Sequence, residues 1–203
     1  MLLTALAGLL TGAGLIIAIG PQNVFVLQQG VRRSHVLPVI AVCAVSDVVL
    51  ITAGVAGLGA VVASHPQVVT LAKILGGAYI IALGLFAARR CFRSNAAIEA
   101  NAAESVNLSR WAAVGTALAL TWLNPHVYLD TVLTMGAIAN SHGNGKWAFA
   151  IGASAASILW FTGLGRGSSK LAPLFAKPRA WKVLDAVVAV VMLTMGGLLI
   201  ASV

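Results

Sequence analysis

Residues 1 to 31 read MLLTALAGLLTGAGLIIAIGPQNVFVLQQGV, and none of them is Asp, Glu, Lys or Arg. About 20 apolar residues suffice for a helix to cross a bilayer, so an uncharged stretch of this length belongs in lipid. It lacks the basic n-region and short apolar core of a secretory leader, and no cleavage is expected. The rest of the chain agrees, with 60% of its 203 residues hydrophobic and 9% charged, against roughly 25% charged in soluble domains. So few charges cannot cover a water-facing surface, which excludes a soluble globular protein.

Working outward from that segment, uncharged runs predict six spans, near Leu2 to Leu27, Val36 to Ala63, Val68 to Ala88, Trp111 to Ala139, Trp147 to Gly165 and Val183 to Ser202. The connections between them leave no room for a second domain. The expectation is one all-α membrane domain over residues 1–203, with a first repeat at 1–88, a cytoplasmic loop at 89–110 and a second repeat at 111–203. Net charge is +8, yet the basic residues sit in short connections and form no stripe for nucleic acid. Arg32 and Arg33 follow span one. Arg89, Arg90, Arg93 and Arg110 follow span three, and Arg166, Lys170, Lys177, Arg179 and Lys182 follow span five. Only Lys73 and Lys146 fall on the other side, so the positive-inside bias puts the odd-numbered connections in the cytoplasm and both termini outside. Cys43 lies in an apolar run and Cys91 in a basic loop, so no disulfide framework, cofactor or metal centre is expected.

Spans one and four share an interruption. One carries Gly20-Pro21-Gln22-Asn23-Val24-Phe25-Val26-Leu27 and the other Asn124-Pro125-His126-Val127-Tyr128-Leu129-Asp130, the two prolines standing 104 residues apart. Because three spans separate the breaks, the halves would insert in opposite senses as inverted three-helix repeats, a common transporter plan. Proline removes a backbone donor, so each break frees main-chain groups that lipid cannot satisfy. A helix restarting after such a break presents partly positive N–H groups to an anion, while freed carbonyls suit a cation. Gln22 and Asn23 beside the first proline, and Thr121, Asn124, His126 and Tyr128 beside the second, are ligand candidates or helix-bridging polar groups.

Asp47 lies 11 residues into span two and Asp130 five residues beyond Pro125. A carboxylate at a helix centre in the bilayer costs roughly 2.5–3.5 kcal/mol, so such residues face a cavity or a partner and mark solute or proton paths. No Lys or Arg shares their depth, which leaves room for a cationic solute or for protons. Asp185, at the start of span six, is expected to pair with Lys182, and His35, His65 and His142 read as loop residues. Glycines within the spans, among them Gly8, Gly12, Gly54 and Gly76, allow close helix approach.

The two interruption motifs, together with Ser46-Asp47, resemble the LysE family of bacterial basic amino acid exporters over essentially the whole chain. That resemblance implies an inner-membrane carrier driven by the proton-motive force, with L-arginine or L-lysine, protons and membrane lipid as its partners and a homo-oligomer as one arrangement. It points to Asp47, Asp130 and the regions around Pro21 and Pro125. The long loop with Glu99 and Glu104 resembles a variable cytoplasmic connection. Rival readings are export of neutral amino acids or of a metal cation, and a membrane scaffold that transports nothing. No nucleophile and base, metal motif or phosphate loop points to an enzyme.

Overall fold

The computed structural model describes residues 1–17, 20–59, 64–91, 109–176 and 178–203. Arg93, Glu99, Glu104 and Lys177 lie outside them. Eight helices account for most of the described chain. They are α1 (Leu2–Ile16), α2 (Pro21–Arg32), α3 (Val36–Ala53, prolonged by a π turn at Gly54–Leu58), α4 (Pro66–Cys91) and α5 (Arg110–Trp122). The sixth, α6, runs through three segments: Pro125–Val127, a π stretch at Tyr128–Thr134, and Met135–Ser141. Then come α7 (Lys146–Ser168), a 3-10 segment at Ser169–Ala176, and α8 (Pro178–Ala201).

The helices form because long apolar runs cannot leave backbone groups unpaired in lipid and satisfy them within each segment. Val36–Leu58, Gly143–Leu171 and Ala180–Ala201 are each long and apolar enough to cross a membrane, and α1 with α2 would count as a fourth, bent span. Side chains of these helices that face outward, such as Leu2, Val45, Ile151 and Leu198, are exposed, as lipid contact requires.

Several boundaries differ from expectation. The first run does not continue as a helix to Leu27: α1 stops at Ile16, and α2 leaves at 82° to it. The stretch before the sixth span is largely helical, because Ser169–Ala176 forms 3-10 turns and α8 already starts at Pro178. Asp185 consequently sits seven residues inside α8 and is buried. Cys91 is no loop residue; it closes α4, where its thiol lies 3.6 Å from the Lys182 carbonyl.

Packing follows the small residues. α1 runs parallel to α7, with Gly8 against the Phe149 backbone and Gly12 against Ala153. α4 and α8 run antiparallel, pairing Gly77 with Gly196 and Gly84 with Leu193. α3 and α7 are also antiparallel, with Ile40 over Gly165 near one end and Asp47 beside Ser157 in the middle. The π turn of α3 presses on α6, where a Cβ at Gly54 or at Gly136 would come within 2.7 Å of the facing carbonyl. One core joins α1, α2, α3, α5, α6 and α7 through Val26, Ile51, Met135, Phe149 and Phe161. A second gathers Val24, Ile80, Val188 and Met192 between α2, α4 and α8.

These directions sort the charges. At one end Arg33 reaches the Ser169 carbonyl at 3.3 Å, and Arg32 stacks 5.0 Å from the Trp181 ring. At the other, Lys73 donates to the Ser202 carbonyl at 2.9 Å and Thr4 packs against Gly145. Arg32, Arg33 and Lys182 thus share one end of the bundle, opposite Lys73.

Candidate functional site

Both prolines begin a helix instead of kinking one. Pro21 and Pro125 each occupy the first helical position, where the missing N–H costs nothing because it would have no intrahelical acceptor. The cost falls on the preceding helices, whose last carbonyls lose their partners. At each break a side chain from the restarted helix takes one up. Asn23 Nδ2 donates to the Ile16 carbonyl at 2.8 Å, and the Tyr128 hydroxyl donates to the Trp122 carbonyl at 2.9 Å.

The two breaks meet. A cavity of about 80 Å³ is lined by Pro21, Gln22 and Asn23 from the first and by Asn124, His126 and Asp130 from the second, with Asp47 of α3 in the same wall. Thr131, Met135, Phe161 and Met195 complete much of its lining. A water takes roughly 10–15 Å³ by this measure, so the cavity has room for a handful. It adjoins a recess of about 390 Å³ that shares Pro21, Asn124, His126 and Met195 and runs to Lys73 and Ser202. Towards the basic end Gly30 of α2 sits directly on Ser168 and on the Gly165 carbonyl of α7, while a further cavity of about 720 Å³ shares Asn23 and runs past Trp160 to Ala180 and Val183.

The two acids have different surroundings. Asp47 is 3% exposed, and its Oδ2 accepts a 2.7 Å hydrogen bond from the Ser157 hydroxyl. Asp130 is more open, at 29% side-chain exposure, and its Oδ2 lies 3.6 Å from His126 Nε2, one helical turn away. The four-residue spacing turns the imidazole onto the face of this acid, which puts a titratable side chain beside Asp130. Among the described residues lining the cavity there is no Lys or Arg.

Of the residues singled out from the sequence, Pro21, Gln22, Asn23, Asp47, Asn124, His126 and Asp130 come together. Pro125 is buried behind them against Gly76, and Tyr128 is committed to the Trp122 carbonyl, so neither lines the cavity. Thr121 is buried and spends its hydroxyl on the Ala117 carbonyl. Two contributors from α7 were not anticipated: Ser157, on Asp47, and Trp160, whose indole N–H donates to Asn23 Oδ1 at 3.1 Å. A matching indole bond runs from Trp122 to Ser46 at 3.1 Å. The only sequence signal for Ser157 and Trp160 is their three-residue spacing, which places them on one helix face.

Residues 13–202 match the family model described as LysE type translocator. A Mycobacterium tuberculosis protein named as a candidate amino-acid transporter is 44% identical over 87% of both chains. The arginine exporter ArgO of Pectobacterium carotovorum is 42% identical over 92% of this chain and 91% of its own length. The lysine exporter LysE of Corynebacterium diphtheriae is 34% identical over 94% and 96%. No solved structure matches. A match that runs over residues 13–202, nearly the whole chain, makes this protein a member of the LysE-type translocator family.

Proposed function

We propose that this protein exports a basic amino acid, L-arginine or L-lysine, across the bacterial inner membrane, with inward proton movement as the driving force. Family membership already makes it a multi-pass membrane transporter and not an enzyme. The observation that carries the finer reading is that Asp47 and Asp130, from opposite halves of the chain, line one cavity whose described walls hold no Lys or Arg. Two carboxylates at that depth stay charged at high cost unless a cation joins them. A substrate with a second positive charge supplies it, and the names of the arginine and lysine exporters among the relatives favour that choice.

In this reading Asp47, Asp130 and His126 alternate between substrate cation and proton. A proton on either carboxylate weakens its hold on the amino acid. The recess towards Lys73 and Ser202 serves as the outer exit. Two inverted three-helix repeats and six spans, each bent pair counting as one, fit the contacts. Exchanging the halves carries the α1–α7 pair onto α5–α3 and returns the α3–α7 and α4–α8 pairs to themselves.

The test is uptake of radiolabelled arginine and lysine by proteoliposomes under an imposed pH gradient. Accumulation should collapse with a protonophore, and an unchanged flux would remove proton coupling. Asp47→Asn and Asp130→Asn should each abolish transport while leaving insertion intact; normal rates in both would remove the acids from the mechanism. Competition by neutral amino acids or divalent metals, in place of the basic pair, would favour the rival substrates.

A further inference from the structure

The cavity of about 720 Å³ between α2, α7 and α8 has no part in the reading above. Val24 and Leu27 of α2, Leu164 of α7, and Leu184 and Val188 of α8 supply much of its wall. Asn23 and Trp160 are the only polar side chains in the described lining, and they are bonded to each other, the indole N–H donating to Asn23 Oδ1 at 3.1 Å. A charged amino acid would find nothing here to replace its hydration, so its occupant is apolar.

The cavity opens sideways as a groove. Val183 and Val187 in its wall are 64% and 49% exposed, and α7 and α8 each pack on α2 and hardly on each other. In a bilayer such a groove faces hydrocarbon, and leaving it empty would forfeit the dispersion contacts of its lining. Its length fits one leaflet. From Val188 to Ala180 the chain advances eight residues of α8, about 12 Å at 1.5 Å per residue, against about 15 Å for half of a hydrocarbon core roughly 30 Å thick.

Charge at the end of the groove selects the kind of lipid. The groove stops at Ala180 and Val183, beside Trp181 and Lys182, and the Arg32 guanidinium lies 5.0 Å from the Trp181 ring. Arg33 reaches the Ser169 carbonyl at the same end, where Arg166 and Lys170 flank that residue in sequence. Of the described acids only Asp185, buried one turn into the membrane from Lys182, lies near this cluster. A cluster so basic attracts a headgroup of net negative charge more than a zwitterionic one.

We propose that the groove between α2, α7 and α8 binds one acyl tail of an anionic phospholipid, with the headgroup phosphate at Arg32 and Lys182. The tail rests against the bond between Asn23 and Trp160, and because Asn23 also lines the acid cavity, the lipid borders the transport site.

Brominated phospholipids test this, because bromine on a tail quenches an indole that it touches. Purified full-length protein in phosphatidylcholine vesicles receives rising mole fractions of phosphatidylglycerol brominated midway along one tail, or of phosphatidylcholine brominated at the same place. The Trp160 signal is the difference between wild type and Trp160→Phe. Phosphatidylglycerol should quench it saturably, at about a fivefold lower mole fraction than phosphatidylcholine, the attraction of roughly one basic residue. Arg32→Gln combined with Lys182→Gln should abolish that preference, and Arg32→Lys should keep it. Val187→Phe, which puts a ring into the groove, should abolish saturable quenching by either lipid. Equal quenching by the two lipids in the wild type, or quenching that only rises in proportion to bulk lipid, overturns the site, and this comparison decides the matter if a variant does not fold. Absence of quenching by both lipids overturns it as well, and a dimer seen by light scattering would then make a second copy of the chain the occupant.

Discussion

The first and second breaks are built on one plan and finished differently. Each starts a helix at proline, and each returns a side chain to a stranded carbonyl of the helix before it. At the first, nothing among the described residues would stand within 4 Å of a Cβ on Gly20, and no side chain caps the restart. At the second, Asn124 caps the restart, Gly76 closes on Pro125, and a π stretch carries Asp130 and so shifts the register of everything beyond it. Duplicated architecture thus does not mean duplicated chemistry: Asn23 after the first break is tied to the Ile16 carbonyl and the Trp160 indole, while the second break is followed by a carboxylate, Asp130, in the cavity wall.

The largest expected effect comes from the packing contrast. A Cβ at Gly76 would collide with the Leu123 carbonyl and the Pro125 ring, so Gly76→Ala should destabilise the protein by about 1–3 kcal/mol, the usual penalty of overpacking. Gly20→Ala should change stability by less than about 0.5 kcal/mol, as substitutions away from close contacts do. Thermal unfolding in detergent compares the two, and equal losses would refute the difference between an open and a packed break.

The acids provide the next contrast. Ser157→Ala removes a buried hydrogen bond to a carboxylate and should weaken arginine binding by about tenfold or more. His126→Gln removes a pair that is half exposed and should weaken it by no more than about fivefold, in line with solvent-screened ion pairs. The reverse order would make Asp130, not Asp47, the main anchor. Smallest of all is Gly20→Ser, which supplies the missing cap to α2. It should raise thermal stability by a few tenths of a kcal/mol, and a lower melting temperature would show that the serine cannot cap this helix.

Much of this was legible in the sequence. Uncharged runs located the helices to within a few residues at most ends, and the prolines marked both breaks. Asp47 and Asp130 stood out because charge is rare at that depth. Burial could not be read in the same way. Helices such as α3 and α7 are apolar all round and have no polar face to show which side turns inward, so nothing announced that Ser157 and Trp160 meet Asp47 and Asn23. The end of α1 at Ile16 was hidden for a similar reason: Ile17 is as apolar as its neighbours, and only the need of Pro21 for a first-turn position shows that a new helix begins. The bond from Tyr128 to the Trp122 carbonyl depends on a break geometry that spacing does not encode.

Where the π turn of α3 meets α6, Gly54 faces the Thr131 and Val132 carbonyls and Gly136 faces the Gly54 carbonyl, so main chain touches main chain between the two halves. A methyl group at either glycine would meet facing backbone at 2.7 Å and force the two halves apart, so the distance between them at this crossing is set by two missing side chains.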